Sequence, residues 1–418
     1  MSLTPRREKI AGRIGALLGI LLMALSLRAA VVSVPPLLGS IGPELGFTSF
    51  STGLLAMLAP VVFAAFGLLT PRLIRWLGLE KVLLSAVLLA VAGQLLRATV
   101  GEVSSFLLLS VITLAGYGMG NVVLPPLVKK YFPDRLAVVT SGYVTMLAVG
   151  TWMSPQFSVP LATATNWRTS IAAWSLLSAV VLVPWGIQLF RDRKNKRPDT
   201  PLVNGLVAVH PVRINPWKSP VAWGLAIFLA GNSAQTYVYF TWLPPYLRDQ
   251  GLDAAAAGSM LALFAILGLP VSLLVPLIVP RLRHPVAAVL VFTGCWIVGH
   301  LGLYLSPTDH TVVWIIFSGL GQGTFAIALL MMNLRSRTTY GSGVLSGFSQ
   351  GLGYAGAAIV PLLFGIVKDA TGGWSASFAM LAGCILVMLT GAFMINGPRK
   401  IEDGKNGPSP AIELERVL

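Results

Sequence analysis

The chain is short of charge, and shortest of negative charge. Only 11% of its 418 residues are charged, with 15 acidic residues against 30 basic ones. Soluble domains carry about 25% charged residues. With 55% hydrophobic residues and a mean hydropathy of +0.77, this composition excludes an ordinary water-soluble fold. Cysteine is nearly absent: Cys295 and Cys384 both fall inside apolar runs, which argues against a disulfide framework. The four histidines, at 210, 284, 300 and 310, are scattered and have no carboxylate beside them at membrane depth. Neither a metal cluster nor a nucleophile with its base can be assembled from them, so no metal, no cofactor and no enzymatic activity are expected. The formal net charge of +15 raises the possibility of nucleic acid, but the basic residues are dealt out among short loops rather than gathered in one patch.

What is present is a series of apolar runs of spanning length, near 14–38, 52–70, 81–100, 104–127, 137–160 and 170–190, then 220–247, 256–279, 286–305, 311–333, 343–367 and 374–396. The expected fold class is an all-α membrane protein with 12 transmembrane helices in two six-helix bundles. The expected division is 1–190 for the first bundle, 191–218 for a linker, 219–396 for the second bundle and 397–418 for a tail. The basic start, Arg6, Arg7, Lys9 and Arg13, resembles a signal peptide. The run behind it is too long for one and contains Arg28, so it is expected to stay as the first span. Alternate loops carry 25 Lys and Arg on one side and four, Arg97, Arg168, Arg248 and Lys368, on the other. The positive-inside rule then places both termini in the cytoplasm.

The two halves repeat at an offset near 205–209 residues, 203 for one glycine match. Pro35-Pro36 meets Pro244-Pro245, Pro71-Arg72-Leu73 meets Pro280-Arg281-Leu282, and Gly116-x-Gly118-x-Gly120 meets Gly319-x-Gly321-x-Gly323. Ser141-Gly142-Tyr143 meets Ser346-Gly347-Phe348, and Trp167 meets Trp374. Six-span halves with the same in–out sense are parallel repeats about an axis along the membrane normal, an arrangement that puts a binding site near mid-membrane between the halves. The glycines lie inside spans with no strand before them, so they are not a nucleotide loop. They suit close helix packing or a bend.

Arg28 is the one basic residue deep within a run, and no run contains Asp or Glu to neutralise it. A charge there costs about 2.5–3.5 kcal/mol on insertion scales. Two roles fit: a ligand for an anion in a water-filled cavity, for which the planar guanidinium fork is suited, or a structural arginine tied to backbone carbonyls. At the Pro-Pro offset of 209, residue 28 maps onto Tyr237. Tyr237 belongs to a polar stretch with Asn232, Ser233, Gln235, Thr236, Tyr239 and Thr241, which is either cavity lining or interhelical hydrogen bonding. Asn121, Gln322, Gln350 and Tyr354 are further candidates for substrate contact, with Tyr143 a weaker one. Arg72, Arg75 and Arg281 are candidate gating residues in the loops. His300 is the only histidine within a span and the candidate for proton coupling.

The ordered set Leu27-Arg28, Gly53-Leu54-Leu55 with Pro60, Gly67 to Leu73, Gly120-Asn121 with Pro125, Phe132 to Arg135, Trp242-Leu243-Pro244, Gly321-Gln322-Gly323, Ser349-Gln350 with Gly353-Tyr354, and Asp369 to Trp374 resembles the major facilitator superfamily. Within it, the set resembles the cyanate and 2-nitroimidazole transporter family, over roughly 14–396. The resemblance implies a secondary transporter in the bacterial inner membrane. It would act as a monomer in lipid and move a small anionic or weakly acidic solute by alternating access, with Arg28 as anchor. The alternative is a broad-specificity multidrug or metabolite exporter of the same fold. Two departures stand out. Pro71 occupies the position where the superfamily loop has an acidic residue, which puts the usual gate in question. Ser26-Leu27-Arg28-Ala29 replaces the family's Asn-Leu-Arg-Pro.

Overall fold

The computed structural model describes residues 5–194, 214–282 and 285–403. The middle of the expected linker and the tail beyond 403 lie outside the described residues. The first half contributes α1 (Pro5–Val32), α2 (Leu38–Leu45), α3 (Ser49–Leu77), α4 (Leu79–Arg97), α5 (Val103–Tyr131), α6 (Leu136–Ala164), α7 (Trp167–Val180) and α8 (Leu182–Lys194). The second contributes α9 (Pro220–Asp249), α10 (Ala254–Ile278), α11 (Pro285–Leu305), α12 (Thr311–Gly321), α13 (Gly323–Leu334), α14 (Thr339–Thr371) and α15 (Ser375–Met394). Among the described residues there is no strand.

Ten helical segments are long and apolar enough to cross a membrane. With α1 and the polar-centred α9 they make the twelve rods expected. The sixth rod is α7 followed by α8, and the tenth is α12 followed by α13, broken at Gln322 between two glycines. Local signals set many of the starts. Thr48 forms a capping box with Ser51, and Asn166, Ser219, Asp253 and Thr338 cap α7, α9, α10 and α14 with side-chain oxygens.

The first span needs correction. It does not run as one helix to Leu38: α1 stops at Val32, and Pro35-Pro36 open a single 3-10 turn that leads into α2. The two prolines have no N–H to continue the helical ladder. Arg28 therefore sits four residues before the end of its helix. What fixes its height is the neighbouring helices.

Within the first half, α1 packs on α5, α6, α7 and α8 through a buried stripe of Ala16, Ile20, Met23, Ala24 and Leu27. Gly116 lets α5 lie directly on α4: a Cβ there would be 2.3 Å from the Ala86 carbonyl. At the end remote from the termini, Glu44 ties α2 to α7. Its carboxylate pairs with Arg168 and accepts the Trp167 Nε1–H at 2.6 Å. Those partners, Arg168 first, hold it below the usual carboxylate range.

The halves meet along two pseudo-equivalent seams, α3 on α14 and α6 on α10, with α5 and α6 also touching α13 and α5 touching α14. The end that carries the N-terminus of α1 and the Lys/Arg-rich loops is here termed the basic end. Hydrogen bonds between the halves are seen there and at mid-height. Lys129 Nζ donates to Asn333 O at 2.8 Å, to Ser336 Oγ at 2.9 Å and to Ser336 O. Ser141 Oγ donates to Leu273 O, and Gln350 Nε2 donates to Asn121 O at 3.0 Å.

Candidate functional site

Tyr354 is the sixteenth of the 33 residues of α14 and Tyr237 the eighteenth of the 30 of α9, so both lie near mid-height. Arg28, from the other half, is brought against them. Its guanidinium interacts with both phenols, and its central carbon stands 5.8 Å from the centre of the Phe325 ring on α13. Among the described residues no carboxylate pairs with it. Arg28, Tyr237 and Phe325 are half-buried, whereas Tyr354 is buried. Tyr354 packs its ring edge-on to Phe63 of α3, centroids 5.4 Å apart. Its hydroxyl lies near the guanidinium without a well-formed hydrogen bond.

One turn toward the basic end, the Gln350–Asn121 bond closes the floor of this space. Gln350 also donates to Ser346 Oγ at 2.8 Å, so its amide nitrogen is committed to packing. The Asn121 Nδ2 is buried and unpartnered. Tyr143 on α6 is fully buried, its hydroxyl is likewise unpartnered, and it is an electrostatic neighbour of Tyr354.

Other candidates go elsewhere. Asn232 accepts the Thr324 hydroxyl at 2.6 Å, a helix-to-helix bond inside the second half. Gln322, at the α12–α13 break, donates to Phe264 O at 2.6 Å and to Gly319 O. His300 is buried between Trp296 and Tyr239, with ring centroids 5.4 and 5.5 Å away, and neither of its nitrogens has a partner. Arg72, Arg75 and Arg281 are exposed and form no ion pair among the described residues.

The contact between the halves at the basic end is made instead by Lys129, which sequence reasoning counted only as a topology determinant. Its acceptor loop is braced from below. The Glu402 carboxylate accepts Arg337 N and Thr338 N at 2.9 Å each, Ile401 N donates to Arg335 O at 2.9 Å, and Arg337 pairs with Asp403. Phe325 and Phe63 were also missed, because an aromatic ring in an apolar run looks like core.

A small apolar crevice lies inside the second half, among Tyr239, Trp242, Tyr246, Leu303, Phe364 and Phe378. Its walls are almost wholly apolar and hold no charged group, so it offers an anion nothing. The cation of Arg28 marks the more capable site.

The family model of the Major Facilitator Superfamily matches residues 16–361. The 2-nitroimidazole transporter of Escherichia coli (strain K12) is 31% identical, over 90% of this chain and 94% of that one. The cyanate transport protein CynX of the same organism is 26% identical, over 89% and 95%. Among solved structures, the proton:xylose symporter XylE superposes with a TM-score of 0.70 at 12% identity, covering 94% of this chain and 98% of that one, which speaks to the fold alone. The chain therefore belongs to the major facilitator superfamily, and it is a multi-pass membrane transporter rather than an enzyme.

Proposed function

We propose that this transporter moves a small anionic or weakly acidic solute by alternating access, with Arg28 as the substrate anchor. Residues 1–190 and 219–396 are the two moving halves and 191–218 the link between them. The observation that carries the reading is the meeting of Arg28 with Tyr237 and Tyr354 across the interface, with phenols and no carboxylate as its partners. A cation half-withdrawn from water without a counter-ion is costly, and a substrate anion offsets that cost. The nitroimidazole and cyanate relatives are in keeping with such a solute: cyanate is an anion, and a nitroimidazole is a weak acid whose nitro oxygens carry partial negative charge.

The Lys/Arg asymmetry makes the basic end cytoplasmic. The conformation is then one latched on the cytoplasmic side, with the site approached from the other. No Asp or Glu lies in any apolar run, and His300 is packed away from Arg28 inside the second half. Coupling is therefore assigned to the substrate's own proton or to exchange. The protein works as a monomer in lipid.

The test is a thermal-shift screen of the purified protein against small anions, carboxylates and nitroheterocycles. A stabilising compound should lose its effect in Arg28→Ala while that variant still unfolds cooperatively. Undiminished binding by Arg28→Ala would end the anchor reading.

A further inference from the structure

The layer around Arg28 holds an excess of hydrogen-bond donors. Tyr143 and Tyr354 are 0% and 1% exposed; the Tyr143 hydroxyl has no hydrogen-bond partner, the Tyr354 hydroxyl has beside it only the guanidinium, which cannot accept its hydrogen, and the Asn121 Nδ2 one turn below is unpartnered. Buried phenols ordinarily find an acceptor, and native interiors leave few polar atoms unpaired. These groups come from α6, α14 and α5, three helices drawn from both halves: Tyr354 neighbours the guanidinium, Tyr143 is the electrostatic neighbour of Tyr354, and Asn121 is tied to Gln350 one turn from Tyr354. Phenol oxygens, which also accept, are the only polar side-chain groups seen to interact with that guanidinium among the described residues. The missing partner is therefore acceptor-rich. Its other faces are aromatic: Phe325 is 5.8 Å from the Arg28 guanidinium carbon and Phe63 is 5.4 Å from the Tyr354 ring.

We infer that Tyr143 and Tyr354 contact the substrate and set its class, reading the second oxygen of a planar two-oxygen group, a carboxylate or nitro, on an unsaturated ring. Arg28 takes one oxygen with its fork and the two hydroxyls donate to the other, while the ring lies along Phe325 and Phe63. A linear triatomic anion has no second oxygen on the same atom. It engages Arg28 and leaves the phenol pair unused.

This rests on the anchor reading of Arg28, and the experiment separates the two. Purified wild type, Tyr143→Phe, Tyr354→Phe, the double Phe variant and Arg28→Ala are titrated with benzoate, 2-nitroimidazole and cyanate. Each Tyr→Phe change removes one oxygen atom and keeps the ring. Removal of an orphaned group should leave the unliganded unfolding temperature unchanged or higher, whereas a purely structural hydroxyl would lower it. The expected result is about tenfold weaker binding of benzoate or 2-nitroimidazole for each hydroxyl removed, the factor one such hydrogen bond commands. Cyanate binding should hold within about twofold, and Arg28→Ala should lose all three. Two-oxygen probes bound equally by the wild type and the double Phe variant would overturn the tyrosine assignment while leaving Arg28 standing. Cyanate bound by the wild type with neither two-oxygen probe bound would overturn it as well. Arg28→Ala binding every probe as wild type does would overturn the anchor reading itself.

Discussion

A guanidinium held against two phenols and a phenyl ring keeps its charge available. The Phe325 face contributes about 0.5–2 kcal/mol of cation–π attraction without neutralising it, and the phenols of Tyr237 and Tyr354 can turn toward a ligand. Charge alone would be served by lysine, but the fixed planar set of donors that a guanidinium turns toward an anion would not. Arg28→Lys should therefore bind substrate about tenfold more weakly than wild type, since a hydrogen bond to a charged group is worth about 1.5–3 kcal/mol, yet should not lose binding altogether. A titration of both proteins decides the point: equal affinity would show that the point charge suffices. At this scale the chain was legible in part. A lone cation in an apolar run announces Arg28, and the repeat offset names Tyr237. Asn232 and Gln322 misdirected, because an amide in a span looks the same in sequence whether it faces a cavity or, as here, spends itself on Thr324 or on the Phe264 carbonyl. Tyr143 and Phe325 carry no signal that separates a site wall from a core.

Among the elements, the end of α5 carries the connection that the loop motif after α3 does not supply. Pro71 has no charge to offer, and Arg72 and Arg75 point to solvent. Lys129 reaches across to the carbonyl oxygens at the end of α13, where the helix dipole favours a cation. Backbone acceptors leave no mark in a sequence, which is why this lysine looked like one more topology charge. Removing it should loosen the latch. With Cys295 and Cys384 replaced by alanine, Gly343→Cys makes a suitable reporter: a Cβ there meets Ile74 and Pro126 of the other half at 3.7 and 3.8 Å, ordinary contact, so a reagent enters only when the halves part. Lys129→Ala should raise the labelling rate of that cysteine from the side of the basic end by about tenfold, the population shift that 1.4 kcal/mol produces. An unchanged rate would mean that the α3–α14 packing alone holds the end shut.

For the molecule as a whole, the repeat written in the sequence is visible in the packing. Spans two and eight are repeat counterparts, as are spans five and eleven, and the seam of α3 on α14 is matched by that of α10 on α6. The twelve-rod plan was legible because spanning length and loop charge are local properties. The closed conformation was not, because it depends on which glycines face each other across the seam. Gly67 and Gly347 allow α3 and α14 to touch backbone to backbone. A Cβ on Gly67 would stand 2.6 Å from the Gly351 Cα and 2.7 Å from its nitrogen, and one on Gly347 would stand 2.6 Å from the Gly67 carbonyl. Backbone cannot step aside as a flexible side chain can, so Gly67→Ala forbids the seam as it stands while leaving the folding of each half intact. The proposed alternating-access cycle requires that the basic end close in every turnover. Gly67→Ala should accordingly lower transport in proteoliposomes at least tenfold, corresponding to about 1.4 kcal/mol or more lost from the closed state, with cooperative unfolding retained. Gly343→Ala, whose nearest neighbours are side-chain atoms at 3.7 Å or more, should transport like wild type. If Gly67→Ala also transports like wild type, the closely packed seam at the basic end is not a state the working cycle passes through.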